Sequence, residues 1–347
     1  MERRSIALGL LFALSLSFLF SACSKNLYSA TKVTLRVAAD PLMQELHQAV
    51  MPKFAQQWRL DHDQKVVFDI TYGPSSLLAD QIISGQNKAD IADLSTPLEV
   101  QRLVDARMVD PGWQQRLPRE GTVAQSFMVF LTRPGNPKNI KGWPDLARQD
   151  VRVVAANPKT SGMGLWQFLS LWGSAIESGD DSGPKDAEKF VKTVYGRTAS
   201  KPDSLFIDQK QAEKHFFLDK RGDVLLASNA SARVDLRNHA RLYEVITPTL
   251  TMSIQEPIAI VDKNIDKHAV REIGEAYVNF LYSDSIQREF VKYGYLSVNP
   301  HLQYEQTKQG EKDQKLFNAS DLGGWTYIED FFLAKGGKID QAMSNAA

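Results

Sequence analysis

Strand and helix alternate along this chain at the spacing of βαβ units, and that alternation limits the possible folds more than any other feature. VTLRVAAD (33–40) reads as a buried strand. PLMQELHQAVMPKFAQQWRL follows as an amphipathic helix, with Leu42, Leu46, Val50 and Phe54 four residues apart. VVFDITYG (66–73) is a second strand, SSLLADQIISG (75–85) a second helix and ADIADLS (89–95) a third, short strand. A parallel sheet with helices on both faces is expected.

Pro111, Pro118 and Gly121 then interrupt the pattern. Beyond them FMVFLTR (127–133) and VRVVAA (151–156) read as strands, with a helix over 163–176 and another ending near Tyr195. GDVLLASNASAR (222–233) reads as strand and turn, and YEVITP (243–248) and EPIAIVD (256–262) as strands. A long helix follows over 270–283. Crossing points near 122–127 and 248–256 give an α/β protein of two lobes, each a mostly parallel sheet flanked by helices. The expected division is 33–122 plus 250–298 for lobe 1, 123–249 for lobe 2, and a C-terminal helical extension over 299–347. In open α/β sheets, ligands sit at the carboxyl ends of strands, where helix N-termini converge.

The first residues have a separate logic. A basic start (Arg3, Arg4), an apolar run from Ile6 to Phe20 and small residues before Cys23 fit a secretory leader over 1–23. The run is short for a membrane span, which needs about 20 apolar residues. Cys23 is the single cysteine of the chain, and Ser-Ala-Cys resembles a lipobox. The expectation is an exported protein acylated at Cys23, with 24–32 as a polar tether and the membrane reached through the lipid alone. Without another cysteine, the exported body has no disulfide, thiolate metal site or cysteine nucleophile. The six histidines are scattered without metal-ligand spacing, so no metal or cofactor is expected. Lys plus Arg and Asp plus Glu balance at 41 each, and no block of like charge speaks for nucleic acid.

Three strand-to-helix junctions share one chemistry: Asp40-Pro41, Gly73-Pro74-Ser75-Ser76 and Thr160-Ser161-Gly162-Met163. A helix start leaves N–H groups unpaired and carries about half a positive charge. Serine adds a rotatable donor, and glycine lets backbone approach closely. Pointed into one cleft, the three starts would form a neutral cage of donors for a small oxyanion. Singly, each has a plainer explanation as an ordinary cap, and the carboxylate of Asp40 would repel an anion unless it faces away.

The stretch FLTRPGNPKNIKGWPDLARQDVRVVAANPKTSGMGLWQFLSLWGSA (130–175) resembles the periplasmic sulfate- and thiosulfate-binding proteins of ABC importers. VAADPLMQEL, TYGPSSLLADQIISGQNKAD, RGDVLLASNA, EPIAIVDK and the tail LFNASDLGGWTYIEDFFLAKGGKIDQ resemble the same family in the same order. The resemblance implies the two-lobed periplasmic binding protein fold (type II), with the ligand between lobes and a membrane ABC permease as partner. It also implies a ligand held without countercharge. Asp40 would supply its backbone N–H, Ser75 its N–H and hydroxyl, Ser161 its hydroxyl, and Gly162 and Met163 their N–H groups. Met163 replaces a glycine of the family. Where the family strand ends in a tryptophan that reaches the anion, this chain has Ser228, which acts through a water or leaves space for a larger ligand. The family's GARG loop has its nearest local match at Gly196-Arg197-Thr198-Ala199, which makes Arg197 and Ala199 further candidates.

The reading is a monomeric receptor that closes on sulfate or a similar tetrahedral oxyanion such as thiosulfate and delivers it to the permease. The change at Ser228 keeps molybdate, phosphate or a larger organic anion as alternatives, and a ligand-sensing lipoprotein without transport as another. No paired carboxylates and no His–acid arrangement speak for an enzyme.

Overall fold

The alternation becomes one curled sheet of ten strands. The computed structural model describes residues 31–177, 183–200, 204–239, 242–308 and 314–344. The leader, Cys23 and most of the expected tether lie outside these residues. Thr31 and Lys32, read as tether, already belong to the first strand.

The strands are β1 (Thr31–Ala39), β2 (Gln64–Tyr72), β3 (Ile91–Asp93), β4 (Thr122–Thr132), β5 (Val153–Ala156), β6 (Leu205–Phe206), β7 (Val224–Ser228), β8 (Glu244–Ile246), β9 (Leu250–Ile260) and β10 (Lys315–Phe317). Their order is β2-β1-β3-β9-β4-β7-β5-β6, with β8 on β4 and β10 on β9. The outer pairs β1–β2, β1–β3, β5–β7 and β5–β6 are parallel, as βαβ units require. Antiparallel pairing is confined to the middle, where β4 and β9 run past each other.

Those two strands tie the halves together. The first part of β4 pairs with β9 from Thr122 to Phe127, and its second part pairs with β7 from Met128 to Thr132. Likewise β9 pairs with β3 at Ile258–Ile260 and with β4 nearer its start. The expected crossing points therefore fall on two continuous strands, each shared by both halves.

Seven helices matter for the site: α1 (Gln44–His62), α2 (Ser75–Ile83), α3 (Pro97–Asp105), α4 (Gly162–Glu177), α5 (Pro184–Ala199), α6 (Gln209–Phe217) and α7 (Asn229–His239). One apolar core gathers Leu35, Phe54, Tyr277 and Phe290 around α1. Another surrounds α4 with Trp166, Phe168 and Trp172, all fully or almost fully buried. Burying each such side chain contributes about 1.5–3 kcal/mol. The C-terminal segment closes over this second core. Phe332 meets Trp172 edge-on with centroids 5.0 Å apart, and Phe317 packs on Gly173 so closely that a Cβ there would lie 2.1 Å from its ring. The expected helical extension thus contains a strand, β10, as well as helices. Among the described residues no helix is long and apolar enough to cross a membrane.

Two expectations on local structure change. Ser228-Asn229-Ala230-Ser231 is not a turn but the end of β7 and the start of α7. The helix expected to stop near Tyr195 runs on to Ala199, which carries Arg197 and Ala199 into α5.

Candidate functional site

The three helix starts read from the sequence do meet. Asp40 follows β1, Ser75 opens α2 and Ser161 precedes α4, and all three are buried. The halves touch here. Ser76 Oγ donates to the Thr160 carbonyl at 3.0 Å, and Trp166 Nε1 donates to the Ser95 carbonyl at 2.8 Å. Gly162 sits on Ser95, where a Cβ would lie 2.4 Å from the serine Cβ. Only glycine permits that approach, so the cleft is closed on this line.

On the α4 side, the Asn157 carbonyl accepts from the N–H groups of Thr160 and Ser161, turning the chain tightly. Ser161 Oγ then accepts from Gly164 N at 3.2 Å as an N-cap. The N–H groups of Gly162 and Met163 find no acceptor among the described residues. The side chain of Met163 is buried in the α4 core, so the replacement of a glycine is accommodated away from those donors.

On the other side the polar groups satisfy one another. Asp40 N donates to the Asp93 carbonyl at 3.0 Å, extending the β1–β3 pairing by one residue. This bond takes up the backbone donor that the resemblance assigned to an anion. The Asp40 carboxylate accepts from Leu42 N (3.0 Å), Ser75 Oγ (3.2 Å) and Ser95 Oγ. Ser95 N in turn donates to Ser75 Oγ at 3.0 Å. Asp40 is thus a cap, as its plainer reading had it, and the hydroxyl of Ser75 faces Asp40 and Ser95. The N–H groups of Ser75, Ser76 and Leu77, at the start of α2, keep no acceptor among the described residues.

Burial raises the Asp40 carboxyl above its ordinary range against the pull of these hydrogen bonds, and nearby Asp93 adds to the rise. Behind Asp40, Asp93 Oδ2 lies 3.0 Å from His47 Nε2, and His47 Nδ1 lies 3.2 Å from the Tyr72 hydroxyl. Glu99, whose carboxyl accepts from Thr96 Oγ1 at the start of α3, is pushed up to about 6, chiefly by burial. Glu256 on β9 is raised well above the usual carboxylate range by burial and by Asp40, Asp93 and Glu99. Sequence reasoning missed Ser95, Glu99 and Glu256. For the first two a signal was present, since Ser95-Thr96-Pro97 followed by Glu99 is a helix-start pattern like the others.

Three candidates have partners of their own. Ser228 Oγ accepts from Ser231 N at 3.1 Å and caps α7. The Arg197 guanidinium donates to the carbonyls of Leu146 and Arg148, which ties α5 to the loop before β5. Ala199 lies at the end of α5. Arg197 and Ala199 thus lie in a helix and not in the expected loop. The junction that does approach the Thr160 turn is Phe206–Gln209. Thr160 Oγ1 donates to the Ile207 carbonyl at 2.7 Å, and Asp208 caps α6.

A family model described as bacterial extracellular solute-binding protein matches residues 35–296. The chain belongs to that family. This solute-binding protein is 31% identical to a sulfate-binding protein of Synechococcus elongatus, over 99% of its own length and 98% of the relative's. It is also 31% identical to a thiosulfate-binding protein of Escherichia coli, covering 86% of this chain and 88% of the other. Among solved structures, the sulfate-binding protein SubI from Mycobacterium tuberculosis superposes with a TM-score of 0.72 at 25% identity, covering 86% of this chain and 98% of that one. A periplasmic thiamin binding protein shares the fold at a TM-score of 0.63 and 15% identity. The solute-binding protein fold is the one expected from the sequence. Among the described residues no cluster of acidic and histidine side chains is suited to a metal ion.

Proposed function

We propose that this solute-binding protein is an exported receptor for sulfate or thiosulfate that passes its ligand to an ABC permease. The observation that carries the reading is the pair of helix starts facing each other across the closed line. The free N–H groups of Gly162 and Met163 lie on one side, and those of Ser75, Ser76 and Leu77 on the other. Sulfate at neutral pH accepts hydrogen bonds everywhere and donates none, so a cage of donors suits it. The relatives named above as sulfate- and thiosulfate-binding proteins support the same class of ligand. In this reading Ser161 and Ser75 add hydroxyls after small rotations, while Asp40 and Ser228 act as caps beside the ligand. The protein acts as a monomer without enzymatic activity, and Cys23 anchors it by acylation after removal of the leader.

Titration calorimetry of the purified protein with sulfate, thiosulfate, molybdate and phosphate tests this. Saturable binding of sulfate or thiosulfate is expected. Phosphate or molybdate binding more tightly would move the ligand class, and the serine at 228 would then be the first position to exchange for tryptophan.

A further inference from the structure

At the helix starts, the closed line is crossed by the bonds from Trp166 Nε1 to the Ser95 carbonyl and from Ser76 Oγ to the Thr160 carbonyl. On the α4 side, both partners are held from behind by the C-terminal segment. The indole of Trp325 meets that of Trp166 edge-on, with centroids 5.1 Å apart and planes at 80°. Lys159, the neighbour of Thr160, forms an ion pair with Asp340. The same segment reaches the other half, since Glu329 and Leu333 border the cavity of about 440 Å³ that Ser76 and Arg102 also border.

Local chemistry places Trp325. Gly323 and Gly324 stand at φ +96° and +82°, a left-handed backbone that favours glycine, and they turn the chain into the short helix Gly324–Ile328. Leu322 before the turn and Ile328 and Phe332 after it are buried in the α4 core, so the ring is carried on a stretch anchored at both ends. Trp325 is half-buried, whereas Trp166 is fully buried. Trp166 belongs to the same core, yet its single polar atom, a donor only, finds its acceptor in the other half. Aromatic pairs favour the edge-to-face arrangement. Trp325 therefore restricts the plane of the Trp166 ring, and with it the direction of the N–H. Trp166 lies in the first turn of α4, beside the free donors of Gly162 and Met163, so a fixed ring fixes that helix start against Ser95.

We propose that Trp325 is a positioning residue for ligand capture. It holds the Trp166 indole so that its N–H reaches Ser95, and the donors of α4 then face those of α2 before the ligand arrives. This role rests on the anion-receptor reading above. Alignment in advance lowers the ordering that binding must supply, so its loss weakens binding without changing the ligand class.

Sulfate, or thiosulfate where that binds more tightly, is titrated calorimetrically into the purified wild type, W325A, W325F, W166F and the W166F/W325A double variant. W325A should bind about tenfold more weakly than the wild type, and W325F, which keeps an aromatic contact, within about threefold. W166F keeps a ring but loses the bond to Ser95, again at a cost of about tenfold. In the W166F background, W325A should cost less than about twofold more, because both changes break the same bond. Indole N–H exchange, followed by NMR in the ligand-saturated proteins, separates this role from a general loosening of the core. In W325A the Trp166 N–H exchanges at least about tenfold faster than in the wild type, while the backbone amides of Leu169 and Leu171 in the same helix are unchanged. Absence of saturable binding in the wild type overturns the receptor reading and this role together. Wild-type binding with W325A within about twofold of it overturns this role alone. A loss of the same size in both backgrounds also overturns it, since that is the mark of a residue that only stabilises the core. If W325A does not fold, W325L takes its place with the same expected outcomes.

Discussion

The two sides of the closed line are built from the same parts and differ in what their serine hydroxyls do. At the start of α4, one serine caps the helix and the next two N–H groups are left over. At the start of α2 the N–H groups of Ser75, Ser76 and Leu77 are left over as well, but the serine hydroxyl is drawn into a net with Asp40 and Ser95. The first side is local: β5, the Asn157 turn and α4 supply all of it. The second side is assembled from β1, α2 and the segment after β3, which are brought together only by the sheet. A donor left over by local geometry is available to a ligand, whereas a donor that long-range packing has already paired is part of the scaffold. The backbone donors of both starts, with Ser161, are therefore expected to govern affinity, and the side-chain net of Asp40, Ser75 and Ser95 to govern stability.

The sharpest way to break this contrast is Ser161→Asp. Aspartate caps a helix as well as serine does, so the fold loses nothing and the melting temperature stays within about 2 °C. The added negative charge faces the free donors, and sulfate affinity drops at least about 100-fold, or about 2.7 kcal/mol. Calorimetry and thermal melting of one preparation give both numbers. Unchanged affinity would show that the α4 start is only a cap.

Ser95→Ala should do the reverse. It removes a hydroxyl donated to a buried carboxylate and leaves Asp40 with an unfilled acceptor, at a cost of about 2 kcal/mol in denaturant unfolding. Sulfate affinity should change by no more than about threefold, since the backbone donors stay in place. A large loss of affinity with little loss of stability would place Ser95 on the ligand and erase the difference between the two sides.

Gly162→Ala probes the line where the sides meet. The new Cβ would collide with Ser95 and Thr96, so closure requires a shift that the open form does not. Affinity should weaken by about tenfold, or about 1.4 kcal/mol. The ligand-free melting temperature should not fall, because alanine is the better helix former.

What the sequence revealed follows the same division between local and long-range. The βαβ alternation and the Thr160–Met163 junction were legible because period and turn chemistry act over a few residues. Ser228 and Asn229 read as a turn in the sequence because serine and asparagine favour turns and helix caps alike. Only the pairing of Ser228 with Met128 and the contact of Asn229 with Gly294 separate the two. A four-residue match draws Arg197 and Ala199 toward the cleft. The physical pull is the other way: the helix already runs from Pro184, glycine at 196 costs it only about 1 kcal/mol, and two distant carbonyls hold the guanidinium. Glu256 could not have been found locally, because its burial depends on strands that the sheet brings beside β9.

The smallest expected effect sits between the two sides. Glu99 completes the cap of α3 with Thr96 and borders a pocket of about 440 Å³ that also reaches Ser76 and Ser161. Its carboxyl rises from 4.5 to about 6 in the folded protein, chiefly through burial. An acid whose folded pKa is raised favours the folded state when protonated. Its contribution is full below about pH 4.5 and is lost as pH rises through about 6. The shift alone would allow about 2 kcal/mol, and the open pocket beside the carboxyl reduces this to about 1 kcal/mol. Glu99→Gln should remove that part of the pH dependence of unfolding between about pH 4.5 and 6.5 while leaving sulfate affinity at pH 7 within about twofold. If the variant instead changes affinity as much as Gly162→Ala does, α3 is a third donor helix, and the cage extends past the two sides compared here.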